Sequence, residues 1–183
     1  MKKIIAILFI VTIGLIILFA CVRKSVPTCN VSNQLVESTI AAKAKELSGQ
    51  EYCQFRHYET LFDIDKDGIN DFIVLFTVEG IGGGGNNHYD FMSVFLSGRR
   101  WQPITIRTGG RGERDPVGVD FRDGKIILNT LVYLPSDALC CPSGKGTLIY
   151  ELRGDNLELV SEKENHGEPP ALPDRGKRPT GDR

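Results

Sequence analysis

The chain opens with Met1-Lys2-Lys3 and then an apolar run over residues 4–20, broken only by Thr12 and Gly14. The run is short for a membrane span, which needs about 20 residues, and fits the apolar part of an export signal. Lys2 and Lys3 would stay on the cytoplasmic side. Polar residues and Pro27 then read as a tether over 21–32. Across 33–47 the positions Val36, Ile40, Ala44 and Leu47 recur at steps of three and four, which predicts a helix with one weakly apolar face. Ser32 or Asn33 would cap its start and Gly49 would end it. From Glu51 the pattern changes to strands, at 54–62, 72–78, 91–96, 101–106, 117–121, 125–133, 147–152 and 157–160. Arg122-Asp123-Gly124 is a strong hairpin signal, and Arg153-Gly154-Asp155-Asn156 repeats it. The connections are too short for crossover helices. The pattern therefore predicts an α+β, mainly β fold: an antiparallel meander or curved sheet of seven to eight strands, with the N-terminal helix packed against it.

The end of the chain departs from this pattern. Residues 163–183 hold several prolines and many charges but only Ala171 and Leu172 as ordinary apolar side chains, so they read as a disordered tail. Of 183 residues, 41% are hydrophobic, 25% charged and 8% aromatic. These values leave a signal peptide over 1–20, the tether, one β-rich globular domain over 33–162, and the tail. They exclude a large multidomain enzyme and a many-helix membrane protein. A formal net charge of -1 leaves no electrostatic footprint for a nucleic-acid partner.

The apolar run ends in Leu18-Phe19-Ala20-Cys21, which resembles a bacterial lipoprotein lipobox; Phe19 stands where that motif carries a smaller residue. The resemblance implies cleavage before Cys21, a palmitate-type lipid on Cys21, and anchorage to a bacterial membrane, facing the periplasm or the cell exterior. An uncleaved signal anchor and a soluble secreted product are the alternatives. The remaining Cys29, Cys53, Cys140 and Cys141 form an even set suited to an oxidising compartment. Neighbouring cysteines have Cα atoms only about 3.80 Å apart, against a usual disulfide range of roughly 4.4–6.8 Å. The expectation is therefore that the Cys140-Cys141 loop is tied to Cys29 and Cys53, in either of two pairings. A zinc site from the four thiolates is the weaker reading, because no Cys-x-x-Cys pair is present.

Asp63-Ile64-Asp65-Lys66-Asp67-Gly68-Ile69-Asn70-Asp71 is the most specific chemical feature. Carboxylates of Asp63, Asp65, Asp67 and Asp71, with the Ile69 carbonyl, supply hard oxygen ligands of the kind Ca²⁺ takes six to eight of. The loop begins like an EF-hand, then has Val74 at the twelfth position and leads into a strand. In this it resembles the calcium loops of integrin-like propeller repeats, and that resemblance implies a structural Ca²⁺. A single copy does not support a propeller. The competing reading is an Asx-rich β-turn with no ion.

The Gly-rich segment 79–89 matches neither a Walker loop nor a dinucleotide fingerprint. Its Asn86, Asn87, His88 and Tyr89, with Arg111 and Arg114 of an exposed polar loop at 109–115, are candidate partner-binding residues. The Cys-rich segment 135–146 reads as a second, rigid loop. The acidic and Gly-rich loops should occupy opposite ends of the sheet, because the strand between them spans roughly 20 Å.

The segments FIVLFTVEG, GGGGNNHYDFMSVFL, RGER and LVYLPSDALCCPSGKGTLIYELRG resemble a family of small bacterial exported or lipoprotein-like proteins. That likeness implies a single envelope domain and no particular activity. No Gly-x-Ser-x-Gly elbow or His-Glu-x-x-His helix is present, so the expectation is a protein that is not an enzyme. The functional reading is an envelope-anchored binding or inhibitory lipoprotein, in one version an immunity protein. Its partner would be an envelope protein or an imported effector. The alternative is a structural envelope lipoprotein without a dedicated partner.

Overall fold

The computed structural model describes residues 33–55, 57–98 and 103–165. The chain divides into 1–32 and 33–183; the export signal, Cys21, Cys29 and the tail beyond 165 lie outside the described residues. Among those residues, no helix is long and apolar enough to cross a membrane.

Helix α1 runs over Gln34–Glu46. Asn33 caps it, its side chain accepting a hydrogen bond from the Leu35 amide at 3.0 Å. The left-handed residue after the helix is Ser48, not Gly49. Gly49 is needed for a different reason: a Cβ there would sit 2.6 Å from the Glu79 carbonyl oxygen, so only glycine lets the chain pass that strand.

A nine-stranded antiparallel sheet follows in meander order. Its strands are β1 (Gln50–Glu51), β2 (His57–Phe62), β3 (Asp71–Glu79), β4 (His88–Phe95), β5 (Ile104–Gly110), β6 (Arg114–Arg122), β7 (Lys125–Val132), β8 (Gly144–Arg153) and β9 (Asn156–Asn165). The two-residue β1 and β2 both pair with β3; every later strand pairs with its neighbour in sequence. The strand at 101–106 starts at Ile104 and extends through Gly109 and Gly110, and β9 runs three residues past 162, where the sequence ended the domain. β9 can extend because its added residues keep pairing with β8, from Thr147↔Lys163 to Lys145↔Asn165.

Strand alternation sorts β3 into two faces. Val74, Phe76 and Val78 join Phe91 and Phe95 of β4 against Val36, Ile40 and Ala44 of α1. Ile73 and Leu75 on the other face join Met92 and Val94, and meet Ile126, Leu128, Leu148 and Tyr150 from β7 and β8. A strand buried on both faces reads as a continuous apolar run, as 72–78 does. The second cluster shows that the sheet bends back on itself. The bend lies between β5 and β6, which pair only at Gly110↔Arg114.

Candidate functional site

Thr77 on β3 lies directly opposite Asp90 on β4. His88, two residues before Asp90, shares its face of the strand. Asp115 comes from β6 and reaches these residues only because of the bend. At Asp90/Phe91 the register of β4 with β5 shifts, since Asp90 faces Gly109 and Phe91 faces Arg107. Thr108 is the extra residue of this β-bulge, which sharpens the twist at that point. Gly110 follows at φ +149, and a Cβ there would lie 2.7 Å from the His88 carbonyl oxygen. A side chain at 110 would thus press against β4, and a Cβ at Gly109 would lie 2.2 Å from the Arg114 carbonyl oxygen of β6. The polar loop expected over 109–115 is mostly strand, with a turn confined to 111–113.

The three side chains meet. His88 Nε2 is 3.9 Å from Asp90 Oδ2 and 3.9 Å from Asp115 Oδ1. That is beyond hydrogen-bonding distance. Asp90 Oδ1 accepts from the Thr77 hydroxyl at 2.5 Å, whereas Asp90 Oδ2 and Asp115 Oδ1 are buried without a hydrogen-bond partner. Asp90 is only 6% exposed. Burial pushes its carboxyl up to about 6, against the opposing pull of the Thr77 hydrogen bond and His88. Burial raises Asp115 as well, with His88 opposing it.

These residues line a cleft of about 860 Å³. Its walls are largely apolar: Phe55 from a 3-10 turn at Cys53–Phe55 and Tyr52 just before it, Leu75 of β3, and Val117, Leu131 and Tyr133 on the β6–β7 side. Asn86, Asn87, Arg111, Leu139 and Cys140 also line it. Phe55 is 55% exposed and Leu139 60%, large apolar side chains that line the cleft instead of entering the core. The Gly-rich and Arg111 turns are joined: the Arg111 amide donates to the His88 carbonyl at 3.3 Å and its guanidinium to the Asn86 carbonyl at 3.3 Å.

Asp137 organises the Cys-rich loop. Its Oδ2 accepts from the Leu134 and Ser143 amides and its Oδ1 from the Ser143 hydroxyl, each at 2.8 Å. These hydrogen bonds, led by that from Leu134, lower its carboxyl. The Tyr133 hydroxyl donates to the Leu139 carbonyl at 2.9 Å and pins the loop to the cleft. Within it Cys140 and Cys141 are bonded to each other, with Cα atoms 3.8 Å apart. This overturns both long-range pairings expected from the sequence. The turn closed by the Cys141 amide on the Ala138 carbonyl holds the two adjacent cysteines together on an exposed loop. Cys53 is itself in a disulfide, and with Cys140 and Cys141 joined it does not reach that loop.

The acidic turn lies at the opposite end of β3 from the cleft. Asp63 accepts from the Asp67 and Gly68 amides, and Asp67 from the Ile69 amide. Asp71 is 1% exposed, and its two oxygens accept from the Ile64 and Ser97 amides, both at 2.8 Å. Asp71 thus ties the turn to the end of β4. Oxygens of Asp63, Asp65 and Asp71 gather within 4.8 Å; Asp67 is not in that group, and Ile69 is half exposed.

Of the six candidate partner residues, Asn86, Asn87, His88 and Arg111 line the cleft. Tyr89 packs on the helix side with the Arg107 guanidinium 3.7 Å from its ring centroid. Arg114 is ion-paired to Glu162 and Glu164 of β9, at 2.5 and 3.1 Å, which accounts for its half-buried position. Sequence reasoning missed Asp90, Asp115 and Thr77. The alternation of His88 and Asp90 was a readable signal, but the contribution of Asp115 depends on the bend. Compared with known proteins, the chain matches no family model, no curated protein and no solved structure.

Proposed function

We propose that the chain is an envelope-anchored binding module of inhibitory or immunity type, and that the cleft is its recognition surface. The supporting observation is the cleft itself: exposed Phe55 and Leu139 line a largely apolar volume together with the buried Asp90. Soluble domains rarely leave large apolar side chains grouped around a concavity without using them for contact. A partner would insert an apolar group between these residues and meet Asn86, Asn87 and Arg111 with polar atoms. The loop bearing Leu139 is braced by Asp137 and the Cys140–Cys141 bond, so little conformational freedom would be lost on docking. Anchorage through lipidated Cys21 completes this proposal, in line with the lipobox resemblance.

The test is capture from the native envelope by the intact chain and by Leu139→Asp and Phe55→Asp variants. One stoichiometric protein held by the parent and lost by both variants supports the reading. The same captured proteins for all three would sink it and favour the structural-lipoprotein alternative. A structural Ca²⁺ on Asp63, Asp65 and Asp71 is a separate proposal, carried by the gathering of their oxygens. It fails if the folded chain takes up no Ca²⁺ or gains no thermal stability from it.

A further inference from the structure

We propose that His88, Asp90 and Asp115 form a binding site for one divalent transition-metal ion of the Zn²⁺ class in the cleft. One donor atom from each residue lies within 4.8 Å of the other two. The donors are Nε2 of His88 and one carboxylate oxygen from each aspartate. Zn²⁺ holds nitrogen and oxygen at about 2.0–2.2 Å, so two donors sharing it are separated by about 3.4 Å in a tetrahedron and about 4.2 Å when opposed. The two 3.9 Å separations from His88 fall within that span.

A second observation is independent of the clustering. The carboxylate oxygens facing His88 Nε2 are Asp90 Oδ2 and Asp115 Oδ1, and both are buried without a hydrogen-bond partner. The other oxygen of Asp90 is satisfied by Thr77. Buried polar atoms normally have partners, and an unmet carboxylate oxygen carries a desolvation penalty. An ion between the three donors would satisfy both oxygens together. The acidic turn at the other end of β3 differs in this respect, since Asp71 there spends both oxygens on backbone amides.

The donor set indicates the class of metal. An imidazole nitrogen suits Zn²⁺, Cu²⁺, Ni²⁺ or Fe²⁺, whereas Ca²⁺ and Mg²⁺ take oxygen. Three protein ligands leave a coordination position free, as in zinc sites that accept an outside donor. All three residues line the cleft, which an outside donor would enter. The inference does not depend on whether a protein partner docks there.

The experiment is a Zn²⁺ titration of the purified full chain in competition with a chromophoric chelator. Co²⁺ serves as the spectroscopic probe, because tetrahedral coordination gives it intense visible bands. One ion per chain is expected, with affinity at least about tenfold lower in each of His88→Gln, Asp90→Asn and Asp115→Asn. Thermal melts in EDTA verify that each variant is folded. Asp115 is about a third exposed and provides a variant that tolerates change if the Asp90 variant does not fold. An Asp63→Asn/Asp65→Asn double variant should bind Zn²⁺ as the parent does. No uptake by the folded parent would overturn the proposal. So would uptake that survives both His88→Gln and Asp115→Asn, or that disappears in the acidic-turn variant.

Discussion

Replacing Asp90 with Asn isolates the energetic consequence of burying a carboxylate in the cleft. In the folded, metal-free chain burial raises its carboxyl from 3.8 to about 6. Between those values the folded chain binds a proton that the unfolded chain has released. Stability therefore falls as pH rises from about 4 to about 6 and stays lowered above that range. At 1.36 kcal/mol per unit, roughly two units correspond to about 3 kcal/mol. Because Asp90 is 6% exposed, solvent screening removes little of this. Asn keeps an oxygen in place to accept the Thr77 hydroxyl, now at 2.5 Å, and carries no charge to desolvate. Urea denaturation in EDTA at pH 4, 5, 6, 7 and 8 provides the assay. The parent should lose about 2.5 kcal/mol relative to Asp90→Asn across that series, because at pH 4 the unfolded carboxyl is already more than half ionised, and the variant should be the more stable of the two at pH 7. A difference that does not change with pH, or a variant destabilised at every pH, would refute the reasoning.

Three further changes separate the parts of the fold. Asp71→Ala removes the acceptor for two backbone amides at once and should lower stability by about 3 kcal/mol in urea; a loss below about 1 kcal/mol would show that the turn does not depend on Asp71. Gly110→Ala places a Cβ against the His88 carbonyl at a positive φ and should cost about 2 kcal/mol by the same measurement. A variant as stable as the parent would mean that the bend tolerates a side chain. Replacing Cys140 and Cys141 together with Ser should change stability by less than about 1 kcal/mol, because a bridge between neighbours closes almost no loop in the unfolded chain. The same change should weaken partner capture, since the loop carrying Leu139 loses its brace; a large stability loss with unchanged capture would contradict both statements.

Alternation and turn chemistry already predicted the helix at 33–47, seven to eight strands, and an antiparallel meander or curved sheet. These are local properties: a period of two or of 3.6 is written in neighbouring residues, and Asp123-Gly124 sets its turn without help from elsewhere. The separation of the acidic turn from the Gly-rich loop followed from the length of the strand between them. The tertiary structure decided what distance along the chain hides. Asp115 meets His88 and Asp90 only because Thr108 bulges, Gly109 admits β6 and Gly110 lies close against β4, so a polar loop in the sequence becomes one side of a buried cluster. Arg114, beside it, turns to the β9 glutamates and leaves the recognition surface. The cysteines reverse the expectation for the same reason: their pairing depends on where the Asp137-braced loop settles, and there each of Cys140 and Cys141 has the other as its partner. The sequence set the strands, whereas their pairing order and the bend between β5 and β6, which determines the polar residues that share a site, depend on contacts between distant segments.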